Sequence, residues 1–366
     1  MKPAVQVQDF DGSRLGLIRR LNAYSKAEVA RNLDVSANAV AQYERGQSRP
    51  SASVLAKMCM LFGVPKDFFG RGGTDERLNP AEAHFRSLRS TSVAKREQAL
   101  AHGELALQLI SLLEPWVEFP AVRVPEIAVE DQDVSATVIE EAAQATRSAW
   151  GLRAGPIPNM VRLLEAHGVL VLRLPPETVD RRVDAFSTRE GERPLVVLNP
   201  DKQDKARSRF DAAHELGHLV LHPDVEPGSK LAETQANQFA AEFLMPRRDI
   251  QRELPRRADW AAFHELKRHW GVSLRALVYR AHALGNLTDA TYRRANQQLS
   301  QWGLPEPGDL GRPEAPNLVG AALELLQDDG VDPYREIFPA ARLGEHVIKR
   351  VVEGTTDRPR RLRVAP

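Results

Sequence analysis

Residues 210–222 read Phe-Asp-Ala-Ala-His-Glu-Leu-Gly-His-Leu-Val-Leu-His. This stretch constrains the fold more than any other, because its H-E-x-x-H pattern does chemistry only on a helix. There His214 and His218 stand one turn apart on one face. Two neutral imidazoles held this way can share one tetrahedral divalent cation, with Glu215 beside it as a base. Two histidines do not complete such a site. A third ligand is needed, and a fourth position must stay open to water.

A second helical stretch, from about Ala232 to Met245, is stopped by Pro246. On it Glu233 and Asn237 lie at i and i+4 and share a face. Glu233 supplies the missing carboxylate. Asn237 can accept a hydrogen bond from the far N–H of a ligating imidazole and so fix its tautomer, while His222 packs nearby without ligating. Ala213 and Gly217 are small enough to let the two helices approach, and Phe239 and Phe243 face the core. The ion this set suits is Zn2+, held by His214, His218 and Glu233. Zinc lowers the pKa of a bound water toward about 7; Glu215 then acts as general base and returns the proton to a leaving amine. A strand at Leu195–Leu198, read as an edge, would hold an extended peptide by backbone pairing. His222, Arg275, Tyr279 and Arg280 are candidate donors to the developing oxyanion, and the sequence does not choose among them.

The first 71 residues hold 11 Lys and Arg against 6 Asp and Glu, in a chain of net charge +1. A basic excess confined to one end suits nucleic-acid contact. Four amphipathic helices can be placed there. Leu15, Ile18 and Leu21 mark the first. Ser25 and Glu28 form a capping box for the second, which carries Val29 and Leu33. After an Asp34–Val35 turn, Ser36 caps the third, and Pro50 and Ser51 open a fourth that Gly63 ends. The third helix turns Ala37, Asn38, Ala41 and Gln42 outward and packs Ala39, Val40 and Tyr43 inward. Asn38 and Gln42 can pair with adenine in the major groove. Lys26 and Arg45 suit phosphate.

The rest of the chain reads as helix over 80–114, 135–150, 158–167 and 259–300, with short strands near 168–172, 183–187 and 194–198. Residues 70–75 and the Pro- and Gly-rich stretch 303–317 read as linkers, and 358–366 as a basic frayed tail. A lone Cys59, no signal-like N-terminus and no run of about 18 apolar residues point to a reducing, cytoplasmic setting without a membrane span.

Two resemblances follow from these residues. The run Glu28-Val-Ala, Leu33-Asp-Val-Ser36, Ala39-Val40, Tyr43-Glu44-Arg-Gly46 and Pro50 resembles the Cro/repressor-type helix-turn-helix, or XRE family, with Lys26 where that family commonly has Gln. Modules of this kind read a double-stranded DNA operator as dimers, so a homodimer is expected, with Lys26, Ser36, Ala37, Asn38, Gln42 and Arg45 at the DNA. Arg209-Phe210, Ala213-His-Glu-Leu-Gly-His218, His222 and Glu233-x-x-Ala-Asn-x-Phe-Ala through Leu244-Met-Pro246 resemble the ImmA/IrrE zinc metallo-endopeptidases, over roughly residues 135–290. That likeness implies a protease of a regulatory protein, repressor or antitoxin-like, with zinc on His214, His218 and Glu233 and Glu215 as the catalytic carboxylate.

The expected fold is mainly α with a small β-sheet (α+β). It comprises a five-helix DNA-binding domain at 1–71, a helical linker at 72–125, a gluzincin-like peptidase domain with a few strands at 126–302, and a linker with a small helical region at 303–366. The alternative is a helix-turn-helix regulator whose metal-site domain senses or binds without cutting. A further one is a protease whose helix-turn-helix only docks substrate.

Overall fold

The computed structural model describes residues 9–70, 78, 84–85, 92–127, 129, 134–175, 185–199, 204–223 and 229–356. The expected linker residues 71–75 and the tail 358–366 lie outside the described residues.

The N-terminal unit forms as its caps dictate. Helices α1 (Gly12–Leu21), α2 (Lys26–Leu33), α3 (Ala37–Glu44) and α4 (Ala52–Phe62) are N-capped by the side chains of Asp11, Ser25, Ser36 and Ser51. The capping box of Ser25 and Glu28 is complete. Gly63 ends α4 in the left-handed region at φ 64°. Leu15, Ile18, Val29, Leu33, Val40, Leu55 and Met58 are buried between these helices.

Helix α5 (Val93–Leu113) falls within the expected helical linker 72–125. It is buried on nearly every side from Gln98 to Ile110. It packs against α1 and against the sheet. Two buried arginines fasten it to the N-terminal unit. Arg20 donates to both carboxylate oxygens of Glu104 at 2.9 and 2.7 Å. Arg14 donates to Gln108 Oε1 at 3.1 Å. The helix expected from residue 80 begins at Val93, and the backbone of His84–Phe85 forms a strand, β1. A two-residue strand has no periodicity by which to be recognised.

Next come α6 (Ala136–Ala149), α7 (Met160–Ala166), β2 (Leu170–Arg173), β3 (Ala185–Thr188) and β4 (Leu195–Leu198). The sheet order is β1-β3-β4-β2, with β4 parallel to β2 and antiparallel to β3. Leu195–Leu198 is therefore an interior strand. The expectation that it is an edge open to a peptide is corrected: both its hydrogen-bonding sides are taken. Four consecutive apolar residues mark a strand covered on both faces but do not fix its edges: β2, at the edge of the sheet, also begins with three buried apolar residues. Leu195 and Val197 face the α5 side, and Val196 and Leu198 face the helices that follow.

Those helices are α8 (Lys205–Leu221), α9 (Lys230–Leu244), α10 (Arg247–Ile250), α11 (Trp260–Trp270), α12 (Leu274–Ala283) and α13 (Asp289–Trp302). The proline-rich stretch after α13 is stapled to them by two buried carboxylates. Glu306 accepts from the first amides of α12, Leu274 N–H at 2.7 Å and Arg275 N–H at 3.2 Å. Glu314 accepts from Met160 N–H at 2.7 Å, at the start of α7, and pairs with buried Arg209. Each carboxylate meets unpaired helix-start amides and the positive end of a helix dipole.

Helices α14 (Leu318–Asp328), α15 (Pro333–Glu336) and α16 (Glu345–Gly354) then return to the beginning of the chain. Val319, Leu323, Phe338, Ile348 and Val351 join one apolar core with Leu15, Ile18, Phe68 and Leu109. A second core lies on the other face of the sheet, among α6 to α13. Among the described residues, no helix is long and apolar enough to cross a membrane.

Candidate metal centre and nucleic-acid interface

Helix α8 presents His214, Glu215 and His218, with at most 1% of each exposed. Helix α9 crosses close to it at Gly217. A Cβ there would lie 3.2 Å from the Ala236 Cα and carbonyl oxygen, so the small residue is what lets Glu233 reach the histidines. Phe239 and Phe243 are fully buried and stacked at 5.6 Å between ring centroids.

Three groups converge. His214 Nε2 and His218 Nε2 are 3.1 Å apart. Glu233 brings Oε2 to 3.4 Å from the first and Oε1 to 3.3 Å from the second. Ligands about 2.0–2.1 Å from a tetrahedral zinc stand about 3.3 Å from one another, so this triangle has the size the ion requires. Among the described residues it is the cluster of histidine and carboxylate groups able to hold a metal.

The hydrogen bonds behind the imidazoles set the same polarity. Gln235 Oε1 lies 2.7 Å from His222 Nε2, and His222 Nδ1 lies 3.2 Å from His218 Nδ1. An amide oxygen only accepts, so His222 carries its proton on Nε2 and accepts at Nδ1 from His218. His218 is left with a bare Nε2. Asn237 Oδ1 sits 3.1 Å from His214 Nδ1, and Asn237 Nδ2 donates to the Glu233 carbonyl at 2.8 Å, which fixes the amide's orientation. His214 too presents a bare Nε2. Two lone pairs and a carboxylate meeting at such distances repel unless a cation lies among them.

Glu215 has a partner that sequence reasoning missed. Ser187 Oγ, on β3 and fully buried, donates to Glu215 Oε2 at 2.8 Å. A single serine in an apolar strand gives no spacing by which to find it.

The four oxyanion candidates separate. Arg280 is buried, ion-paired with Glu242, and donates to the Met245 carbonyl. His222 is fully buried behind His218. Both are engaged away from the open side. Arg275 and Tyr279 line a cleft of about 540 Å3 together with Asn237, Phe210, Asp211 and Tyr292. Tyr279 and Leu304 are exposed apolar side chains among its walls.

In the N-terminal unit Ser36, Ala37, Asn38 and Arg45 are exposed, while Ala41 and Gln42 are half-buried. Of the residues expected to face inward, Val40 is buried, whereas Ala39 and Tyr43 are half-buried. Lys26 is exposed and forms an ion pair with Glu44 at 3.5 Å. Glu44 is also held by Arg19 at 2.5 Å. Arg45 Nε donates to the Ala41 carbonyl one turn back.

Comparison with known proteins agrees with both halves. Residues 15–69 match the family model of a helix-turn-helix. Residues 164–282 match that of the IrrE N-terminal-like domain, a metallopeptidase family. The second match starts within α7 and ends within α12, narrower than the span 135–290 read from the sequence. The chain thus joins a helix-turn-helix of the XRE type to an ImmA/IrrE-type peptidase domain in one polypeptide. A search of curated proteins finds no match.

Proposed function

We propose that this chain is a DNA-binding transcription regulator carrying a zinc-dependent endopeptidase that cuts a regulatory protein partner, repressor or antitoxin-like. The observation that carries the peptidase half is the meeting of His214 Nε2, His218 Nε2 and the Glu233 carboxylate within 3.4 Å, with Glu215 on the same helix. Zinc, when bound, supplies a Lewis acid that acidifies water and polarises a carbonyl. The protein's own groups do the rest. Glu215 takes the proton from the attacking water and delivers it to the leaving amine. Ser187 holds one oxygen of that carboxylate and so orients the other. Gln235, His222 and Asn237 keep the imidazole protons on the far nitrogens. Tyr279 or Arg275, lining the adjacent cleft, donates to the oxyanion.

For the DNA half, α3 enters the major groove. Asn38 and Gln42 read bases, while Ser36, Ala37, Lys26 and Arg45 face the backbone and groove wall, in a homodimer on a two-fold operator. Lys26 leaves its contact with Glu44 to reach phosphate. The setting is cytoplasmic.

The test compares the wild type with Glu215→Gln, which keeps all three ligands. Both should purify with one zinc per chain. When each is incubated with a cell extract and new protein N-termini are labelled, cuts should appear with the wild type alone. Equal zinc with identical termini would leave the domain as a non-cutting sensor. Selection from random duplexes should return a palindromic site that the Asn38→Ala variant no longer prefers.

A further inference from the structure

Of the strands in the sheet, β3 stands against the candidate base, because its Ser187 hydroxyl bonds Glu215. With β4 on one side of it, the opposite edge of β3 is where an extended peptide would add a strand by backbone pairing and lie across the site. That edge is occupied. The backbone of His84 lies opposite Ser187 and that of Phe85 opposite Phe186, antiparallel. These residues come from the stretch between the helix-turn-helix and α5. The same stretch is anchored at Leu78, which is 2% exposed and donates its amide N–H to Glu104 at 3.0 Å. Glu104 is the carboxylate that grips Arg20 of α1. A strand beside the base and an anchor on α5, at the carboxylate that grips α1, are thus six residues apart in one segment.

We infer that β1 is a resident competitor for the substrate edge: the chain's own interdomain strand sits where a peptide substrate would pair, and a protein substrate binds in extended form only by displacing it. This inference rests on the peptidase reading above. The energetics favour a displaceable occupant. Two residues of pairing supply few backbone hydrogen bonds, each of modest net worth against water. Tethering nevertheless gives the segment an effective concentration on the order of millimolar. A free peptide of equal intrinsic affinity is outcompeted until it reaches that concentration, whereas a substrate with further contacts in the neighbouring cleft prevails.

The test uses the full, zinc-loaded chain carrying Glu215→Gln, so that binding is read without cutting. A fluorescein-labelled synthetic peptide of residues 78–91 is titrated by anisotropy against this chain and against one that also carries His84→Pro and Phe85→Pro, which cannot form the ladder. The proline chain should bind the peptide at least tenfold more tightly. Equal affinity, or no binding to either, overturns the inference. Hydrogen exchange on the unsubstituted chain gives a reading that does not depend on the proline chain folding. Slowed exchange at 84–85 and at 185–188 is expected, and random-coil rates at 84–85 overturn the inference. Because no arm requires cleavage, the result is independent of whether the wild type proves to be a peptidase.

Discussion

Replacing Gly12 by alanine tests how firmly the DNA-reading helix is set. Gly12 is the first residue of α1 and lies against the C-terminal end of α3. An added Cβ would stand 1.9 Å from the Tyr43 carbonyl oxygen and 2.8 Å from that of Glu44. Carbon and carbonyl oxygen approach to about 3.3 Å at closest, so the two helices must part by about 1.4 Å. Both obstacles are backbone and cannot rotate aside. Helix propensity acts in the opposite direction, since alanine is favoured over glycine by at most about 1 kcal/mol inside a helix, and by less at its first position. Overpacking costs about 1–3 kcal/mol, and a displacement beyond 1 Å belongs at the upper end. The net loss is about 2 kcal/mol, or roughly 8–16 °C in Tm for a unit of about 60–100 residues. Calorimetry reads the shift, and competition on the selected operator reads the displaced α3, whose Asn38 and Gln42 lose their alignment. Zinc content should stay at wild-type level, because the metal triangle belongs to the second core. An unchanged Tm together with unchanged DNA affinity would refute the close α1–α3 contact.

Removing a metal ligand by His218→Ala or Glu233→Ala should abolish stoichiometric zinc in elemental analysis, while Gln235→Leu, acting through His222, should weaken zinc by about 10–100-fold in chelator competition. Arg20→Ala leaves Glu104 charged and buried; a destabilisation of about 3–5 kcal/mol is expected in urea titration, far above that of an exposed pair. The Glu28 carboxyl lies below its ordinary value because the Ser25 side chain and then its backbone donate to it. Its contribution to stability is therefore present above the unfolded carboxylate value and lost as pH falls through the lower folded one; Glu28→Gln should remove that acid-side dependence in a pH series of thermal melts. Lys26→Ala should weaken DNA binding evenly across sequences and lower the salt slope by about one.

Much of this molecule could be read from local patterns. The capping residues Ser25, Ser36 and Ser51, the stop at Gly63 and the i, i+4 pairs on α8 and α9 each act within a few residues of themselves, so the helices and the metal triangle were visible. Misreadings arose where partners are remote. Strand order is set by pairings between distant segments, which is why Leu195–Leu198 seemed an edge. Arg280 looked like a free donor until Glu242, 38 residues away, neutralised it. Glu306 and Glu314 read as linker residues because the helix starts they satisfy lie 32 and 154 positions back. Ser187 differs from any buried strand serine only by what lies beneath it.

The core that joins α1 to α16 has a consequence for synthesis on the ribosome. The helices that would grip an operator are made well before Val319, Phe338 and Val351, which complete the packing around them and α5. Until those residues are made, a nascent chain carries this core unfinished. That core closes only after the stretch carrying His214, His218 and Glu233 has been made.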